Sequence, residues 1–119
     1  MRNFRNYHVW EQSHQLVLSL YNITKEFPSE ERFGLISQLR RAVISIPTNI
    51  SEGCAKISEK DFARYLGISY GSCQEVEYLT YLAKDLGYMS TEIYDSIQAE
   101  IVSIKKQLYQ LIKKLNAVD

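Results

Sequence analysis

The chain is predicted to be all-α, an antiparallel up-down-up-down four-helix bundle forming a single domain over residues 1–119. Three observations point there. Only two prolines and five glycines punctuate 119 residues. Apolar residues recur at alternating spacings of three and four through four long segments, the signature of helix faces turned to a core. The connections between those segments are short, which makes successive helices antiparallel neighbours. A chain of this length buries a core without disulfides or metals.

In the first segment Val9, Leu16, Leu20, Ile23 and Phe27 form one seam, with Trp10, Val17 and Tyr21 beside it. The helix is expected to end near Phe27-Pro28, because the residue before a proline is pushed out of the α region. Ser29 is a suitable N-cap for the second helix, and Glu30 and Glu31 place negative charge in its first turn, where the helix dipole favours it. That helix carries Ile36, Leu39, Val43, Ile46 and Ile50 and is expected to stop near Gly53. Pro47 sits inside its pattern, at a cost of about 3 kcal/mol in a regular helix interior.

The third helix starts at the approximate capping box Ser58-Glu59-Lys60-Asp61. Phe62, Leu66, Ser69, Cys73, Val76, Thr80 and Ala83 share one seam, and Tyr65, Ile68, Ser72, Leu79, Leu82 and Leu86 a neighbouring one, so both faces are expected to be covered. Gly67, Ser69, Gly71 and Ser72 gather small residues at its middle, which predicts close approach of another helix. Gly87 is the expected left-handed C′ residue, and Ser90 caps the fourth helix. There Ile97, Ile101, Ile104, Leu108, Leu111 and Leu115 keep coiled-coil spacing.

Lys plus Arg and Asp plus Glu both count 14, so any attraction to nucleic acid or an anionic surface must come from a local patch. There is no apolar run long enough for a membrane span, and MRNFRNYHVW lacks the apolar centre of a signal peptide, so a cytoplasmic protein is expected. Cys54 and Cys73 are too few and too far apart for a zinc motif and read as buried free thiols. His8 and His14 are six apart and do not share the face that a helical metal pair requires. No Glu-x-x-His pair and no phosphate-binding glycine loop is present. The reading is of a protein that is not an enzyme and needs no cofactor.

Arg40 and Arg41 point about 100° apart on a helix. With Lys56, Lys60 and Arg64 they could compose a basic patch at one end of the second and third helices, holding phosphates without reading bases. The alternative is that the arginines pair with Glu52, Glu75 or Glu77. Asn49 and Glu52 beside Pro47 either satisfy backbone groups freed by the proline or form a recognition site. Nine tyrosines, among them Tyr65, Tyr70, Tyr78 and Tyr81, exceed what a small core needs and suit a half-buried interface.

The residues Val9-Trp10, Phe27-Pro28, Gly34-Leu35, Gln38-Leu39-Arg40-Arg41-Ala42, Ser45-Ile46, Asn49-Ile50-Ser51-Glu52-Gly53, Phe62, Tyr65-Leu66, Gly71-Ser72 and Glu75 together resemble a known family. It comprises small bacterial four-helix-bundle proteins encoded within intervening sequences of 23S ribosomal RNA genes, called S23; the accessory variability protein of diversity-generating retroelements is similar to them. The resemblance implies a bundle assembled as a ring, typically a homopentamer, with no established enzymatic activity. In the retroelement branch it implies a basic surface that binds nucleic acid and a reverse transcriptase. The expectation is a non-enzymatic homo-oligomeric binding or scaffold protein. RNA, DNA or a reverse transcriptase would be bound through Arg40, Arg41, Lys56, Lys60 and Arg64, above a structural polar network of Gln38, Asn49, Glu52, Ser72 and Glu75. The competing expectation is a small-ligand or enzymatic bundle with a polar pocket near Asn49, Glu52 and Glu75.

Overall fold

Val9, Ser13, Leu16, Leu20 and Thr24 lie on one stripe of helix α1 (His8–Thr24), and all five are buried. This is the apolar seam expected for a helix with one face to a core. The computed structural model describes residues 2–117, and among the described residues every element is helical. α2 spans Ser37–Cys54, α3 Glu59–Asp85 and α4 Thr91–Asn116.

α1 stops three residues short of the expected point. From Lys25 to Phe27 each backbone N–H donates to the carbonyl three residues back, at 3.3, 3.2 and 3.1 Å. The helix tightens into 3₁₀-type turns that carry buried Phe27 onto the core. Ser29 does not cap a continuous second helix. Ser29–Glu31 is one 3₁₀ turn and Arg32–Ile36 a π-turn, broken at Gly34 (φ −110°, ψ −111°). The capping role passes to Glu31, whose Oε1 accepts the Leu35 N–H at 3.3 Å. A Cβ at position 34 would lie 2.9 Å from that same oxygen, so a side chain there would push the capping carboxylate aside. Glu31 Oε2 also accepts the Tyr88 hydroxyl at 2.9 Å. One carboxylate thereby ties the α1–α2 connection to the α3–α4 connection, and this bond pushes the Tyr88 phenol up.

α2 runs through buried Pro47. It packs against α3 in the opposite direction: Ser45 meets Ser72 at 2.7 Å, Ser69 Oγ donates to the Ile46 carbonyl at 2.9 Å, and Gly53 lies under Phe62 and Tyr65. α3 and α4 are likewise antiparallel, with Lys105 bonded to Glu77, Gln98 to Thr80, and the Tyr94 ring edge-on to Tyr81. Gln12 of α1 bonds Glu100, Ser103 and Gln107 of α4, closing the bundle.

The helix ends follow the expected chemistry from Ser58 onward. Ser58 Oγ accepts the Asp61 N–H at 3.0 Å, and Ser90 Oγ accepts that of Ile93 at 3.1 Å. Gly87 has φ +81°, the left-handed conformation that favours glycine. It lets the Tyr88 N–H reach back to the Ala83 carbonyl at 2.9 Å and end α3.

The seam Phe62, Leu66, Ser69, Cys73, Val76, Thr80 and Ala83 is buried throughout. Two expectations for α3 are corrected. Its second face is covered only in part: Ser72 and Leu79 are buried, whereas Ile68 and Leu86 are exposed. Nor do Gly67 and Gly71 admit another helix of the bundle, since a Cβ at either would meet nothing within 4 Å. The close approach is at Gly53, where a Cβ would stand 2.9 Å from Tyr65 Cβ and 3.1 Å from Phe62 Cδ1. The two glycine classes predict opposite effects in urea denaturation. Gly67→Ala raises stability by about 1 kcal/mol through helix propensity, whereas Gly53→Ala lowers it by roughly 1–3 kcal/mol through overpacking.

Candidate functional site

Gln38, Arg41, Ser45 and Asn49 stand three or four residues apart on α2, so they share one face of the helix. Ser72 and Glu75 do the same on α3. Between the two helices lies an open groove of about 480 Å³, walled by Ser37, Gln38, Arg41 and Ser45 on one side and Glu75 on the other, with Phe33 at its mouth. Phe33 is 90% exposed.

Below this groove the polar network is shorter than expected. Asn49 Nδ2 donates to the Ser45 carbonyl at 2.8 Å and to Ser45 Oγ at 2.9 Å, and Ser45 Oγ meets Ser72 Oγ at 2.7 Å. Gln38 and Glu75 stand on the groove walls above it. Glu52 is not part of it. That residue is exposed and borders a separate hollow toward α1, beside Trp10, His14 and Pro47. A single pocket joining Asn49, Glu52 and Glu75 is therefore not formed, because Glu52 and Glu75 border different cavities. Sequence reading overlooked Ser45 as the centre of the network, although its place between Gln38 and Asn49 on one helical face is the signal that finds it.

The five cations do not make one patch. Arg40 Nε donates to Thr24 Oγ1 at 2.9 Å and Nη2 to the Tyr21 carbonyl at 3.2 Å, while its guanidinium lies 4.4 Å from the Tyr21 ring centre. These contacts cap the C-terminal end of α1, where a cation complements the helix dipole and the last carbonyls lack donors. Arg41 is exposed and bonds the Ser37 hydroxyl at 3.3 Å. Lys56, Lys60 and Arg64 lie at the other end of α2, roughly 20 Å away along a helix that rises about 1.5 Å per residue. There Lys56 Nζ and Arg64 Cζ stand 4.8 and 4.7 Å from the Tyr65 ring centre, and Arg64 makes a 3.7 Å pair with Asp61. Lys60 is exposed. Within the chain the alternative pairing is also absent: among the described residues neither Arg40 nor Arg41 forms an ion pair, and Glu77 pairs with Lys105 at 3.2 Å.

A further arginine was not singled out from the sequence. Arg2 Nη1 donates to the Lys56 carbonyl at 2.6 Å and to that of Cys54 at 3.4 Å. Its Nη2 pairs with Glu59, and its guanidinium sits 4.3 Å from the Phe62 ring centre. It does for α2 what Arg40 does for α1. Nothing local in MRNFRNYHVW marks it, because its partners lie more than fifty residues away.

Both thiols are buried and free. Burial pushes the Cys54 thiol up and pushes that of Cys73 up to about 12. His14 stacks flat on Trp10 at 5.3 Å. Among the described residues no three His, Cys, Asp or Glu side chains gather as metal ligands.

Two predictions follow from these placements. Arg40→Ala destabilises the fold by about 1.5–3 kcal/mol, the worth of charge-assisted hydrogen bonds, while Arg41→Ala stays within about 0.5 kcal/mol of the parent; urea melts of both variants check this. Cys73, held protonated by the fold, contributes stability that is complete below its ordinary pKa of 9.0 and is lost as pH rises toward about 12. The urea midpoint of the parent therefore falls across that window, and Cys73→Ala loses less of it.

The model of the 23S rRNA-intervening sequence proteins matches residues 5–110. A crystal structure of a protein of unknown function from the S23 ribosomal protein family of Bacteroides thetaiotaomicron is similar to the chain, with 30% identity and a TM-score of 0.82 over 88% of this chain and 95% of that one. No curated protein matches.

Proposed function

The chain belongs to the family of 23S rRNA-intervening sequence proteins, and we propose that it is a non-enzymatic binding and scaffold module that works as a homo-oligomer in the cytoplasm. The observation that carries this reading is the face formed by α2 and α3. Its polar network is satisfied internally, whereas Phe33 is exposed at the groove that holds Arg41 and Glu75, and Ile44 of α2 and Ile68 of α3 are exposed as well. An exposed aromatic anchor beside polar groups is the make-up of a macromolecular interface. A ring of five copies is the form that the resemblance implies.

The partner this reading favours is structured RNA or DNA, held by its phosphates. Lys56 and Lys60 sit at the α2–α3 turn, with Ile57 fully exposed between them. The Tyr65 ring is already engaged by Lys56 and Arg64, which supports contact with the backbone over base stacking. Repetition of a modest patch around an oligomer turns weak single contacts into useful affinity.

Light scattering at micromolar concentration is expected to give a mass several times the 13.9 kDa of one chain; a monomer overturns the scaffold reading. Fluorescence anisotropy with structured RNA is expected to show affinity that falls steeply between about 50 and 200 mM salt, and that Lys56→Ala/Lys60→Ala reduces while Arg40→Ala spares it. Equal affinity of the lysine variant and the parent removes the lysines from the account, and no binding by the parent at the lower salt removes nucleic acid.

A further inference from the structure

Arg64, Ile68, Gly71 and Glu75 stand four, three and four residues apart on α3, so they share one helical face, and all four are exposed. Gly67 is exposed beside them. Glycine in a helix interior costs stability, and within the chain nothing compensates, since a Cβ at 67 or 71 would meet nothing within 4 Å. Ile68 stands 43% exposed next to that notch. Besides its 4.7 Å contact with the Tyr65 ring, Arg64 makes a 3.7 Å pair with Asp61, both side chains more than half exposed, a pair of little worth in water. Among the described residues Glu75 forms no ion pair.

The order of these residues is self-complementary. The midpoint between Arg64 and Glu75 is also the midpoint between Ile68 and Gly71, so an antiparallel copy of the same helix faces each member of one pair with the other member. We propose that two copies of the chain pair through α3 about a two-fold axis. Arg64 of each meets Glu75 of the partner subunit, and Ile68 of each fills the notch at the partner's Gly71. Such a contact is isologous, the same patch used twice, and the missing side chains at 67 and 71 let the helix axes come close. This contact rests on the scaffold reading above and specifies one of its surfaces. A ring closed through other faces would be joined by it to a second ring.

The test is sedimentation at micromolar concentration, with circular dichroism melts to show that each variant is folded. Arg64→Glu and Glu75→Arg each put like charges opposite one another twice and are expected to weaken association roughly tenfold or more. An equimolar mixture of the two variants restores opposite charges at both places and is expected to recover it. Gly71→Leu fills the notch from a Cβ that meets nothing within 4 Å in the chain itself, and is expected to abolish pairing while the variant stays folded. A parent that associates, with all three variants unchanged, overturns the α3 contact and leaves the scaffold reading standing. A mixture as dissociated as its components overturns the two-fold arrangement, and a monomeric parent overturns both.

Discussion

A proline buried in the second helix of a bundle sets the constraint on which the rest of this structure depends. Pro47 has no N–H to give and its ring crowds the carbonyl four residues back, yet α2 must stay straight enough to lie along α3. The carbonyl left without its backbone donor is that of Val43, and the three that follow it accept side-chain hydrogen bonds. Thr48 Oγ1 donates to the Ile44 carbonyl at 2.8 Å, Asn49 Nδ2 to that of Ser45 at 2.8 Å, and Ser69 Oγ, from α3, to that of Ile46 at 2.9 Å. Two of these bonds are local to α2; the Ser69 bond, which comes from another helix and is worth about 1 kcal/mol net, offsets part of the helix penalty. The Ser69 bond fixes the register of α3 on α2; the Ser45–Ser72 contact and the crowding of Gly53 under Tyr65 follow along the same seam.

That register decides what reaches the surface. With Ser69, Ser72 and Cys73 turned inward, Ile68, Gly71 and Glu75 on the other side of the helix are turned out. The groove between Arg41 and Glu75 is the outer edge of the same seam. The architectural and the exposed residues thus alternate along single helices, and one helix supplies both. Arginines divide in the same way. Arg2 and Arg40 close the carbonyl ends of α2 and α1, while Arg41 and Arg64 face solvent.

Much of the fold was legible because periodicity reports burial directly: the main seam of α3 and the isoleucine and leucine seam of α4 are buried, apart from half-buried Leu111. Caps with a local partner, Ser58, Gly87 and Ser90, were legible for the same reason. What escaped depends on contacts distant in sequence. Glu31 rather than Ser29 caps the turn that leads into α2, and its carboxylate is also held by Tyr88, 57 residues on. The basic patch dissolved because adjacency in sequence ignores the length of α2, which sets Arg41 and Lys60 at opposite ends. Gly53 and Gly71 look alike as letters, and only the neighbouring helix tells them apart.

A double-mutant cycle between Pro47→Ala and Ser69→Ala in urea addresses the central claim most directly. If Ser69 supports a carbonyl disturbed by the proline, Ser69→Ala costs about 1–3 kcal/mol in the parent. Its cost is then smaller by at least about 0.5 kcal/mol once Pro47 is alanine and the regular ladder is restored. Equal costs in the two backgrounds would contradict the account: the hydroxyl of Ser69 would then be an ordinary helix contact, and the proline would owe nothing to α3.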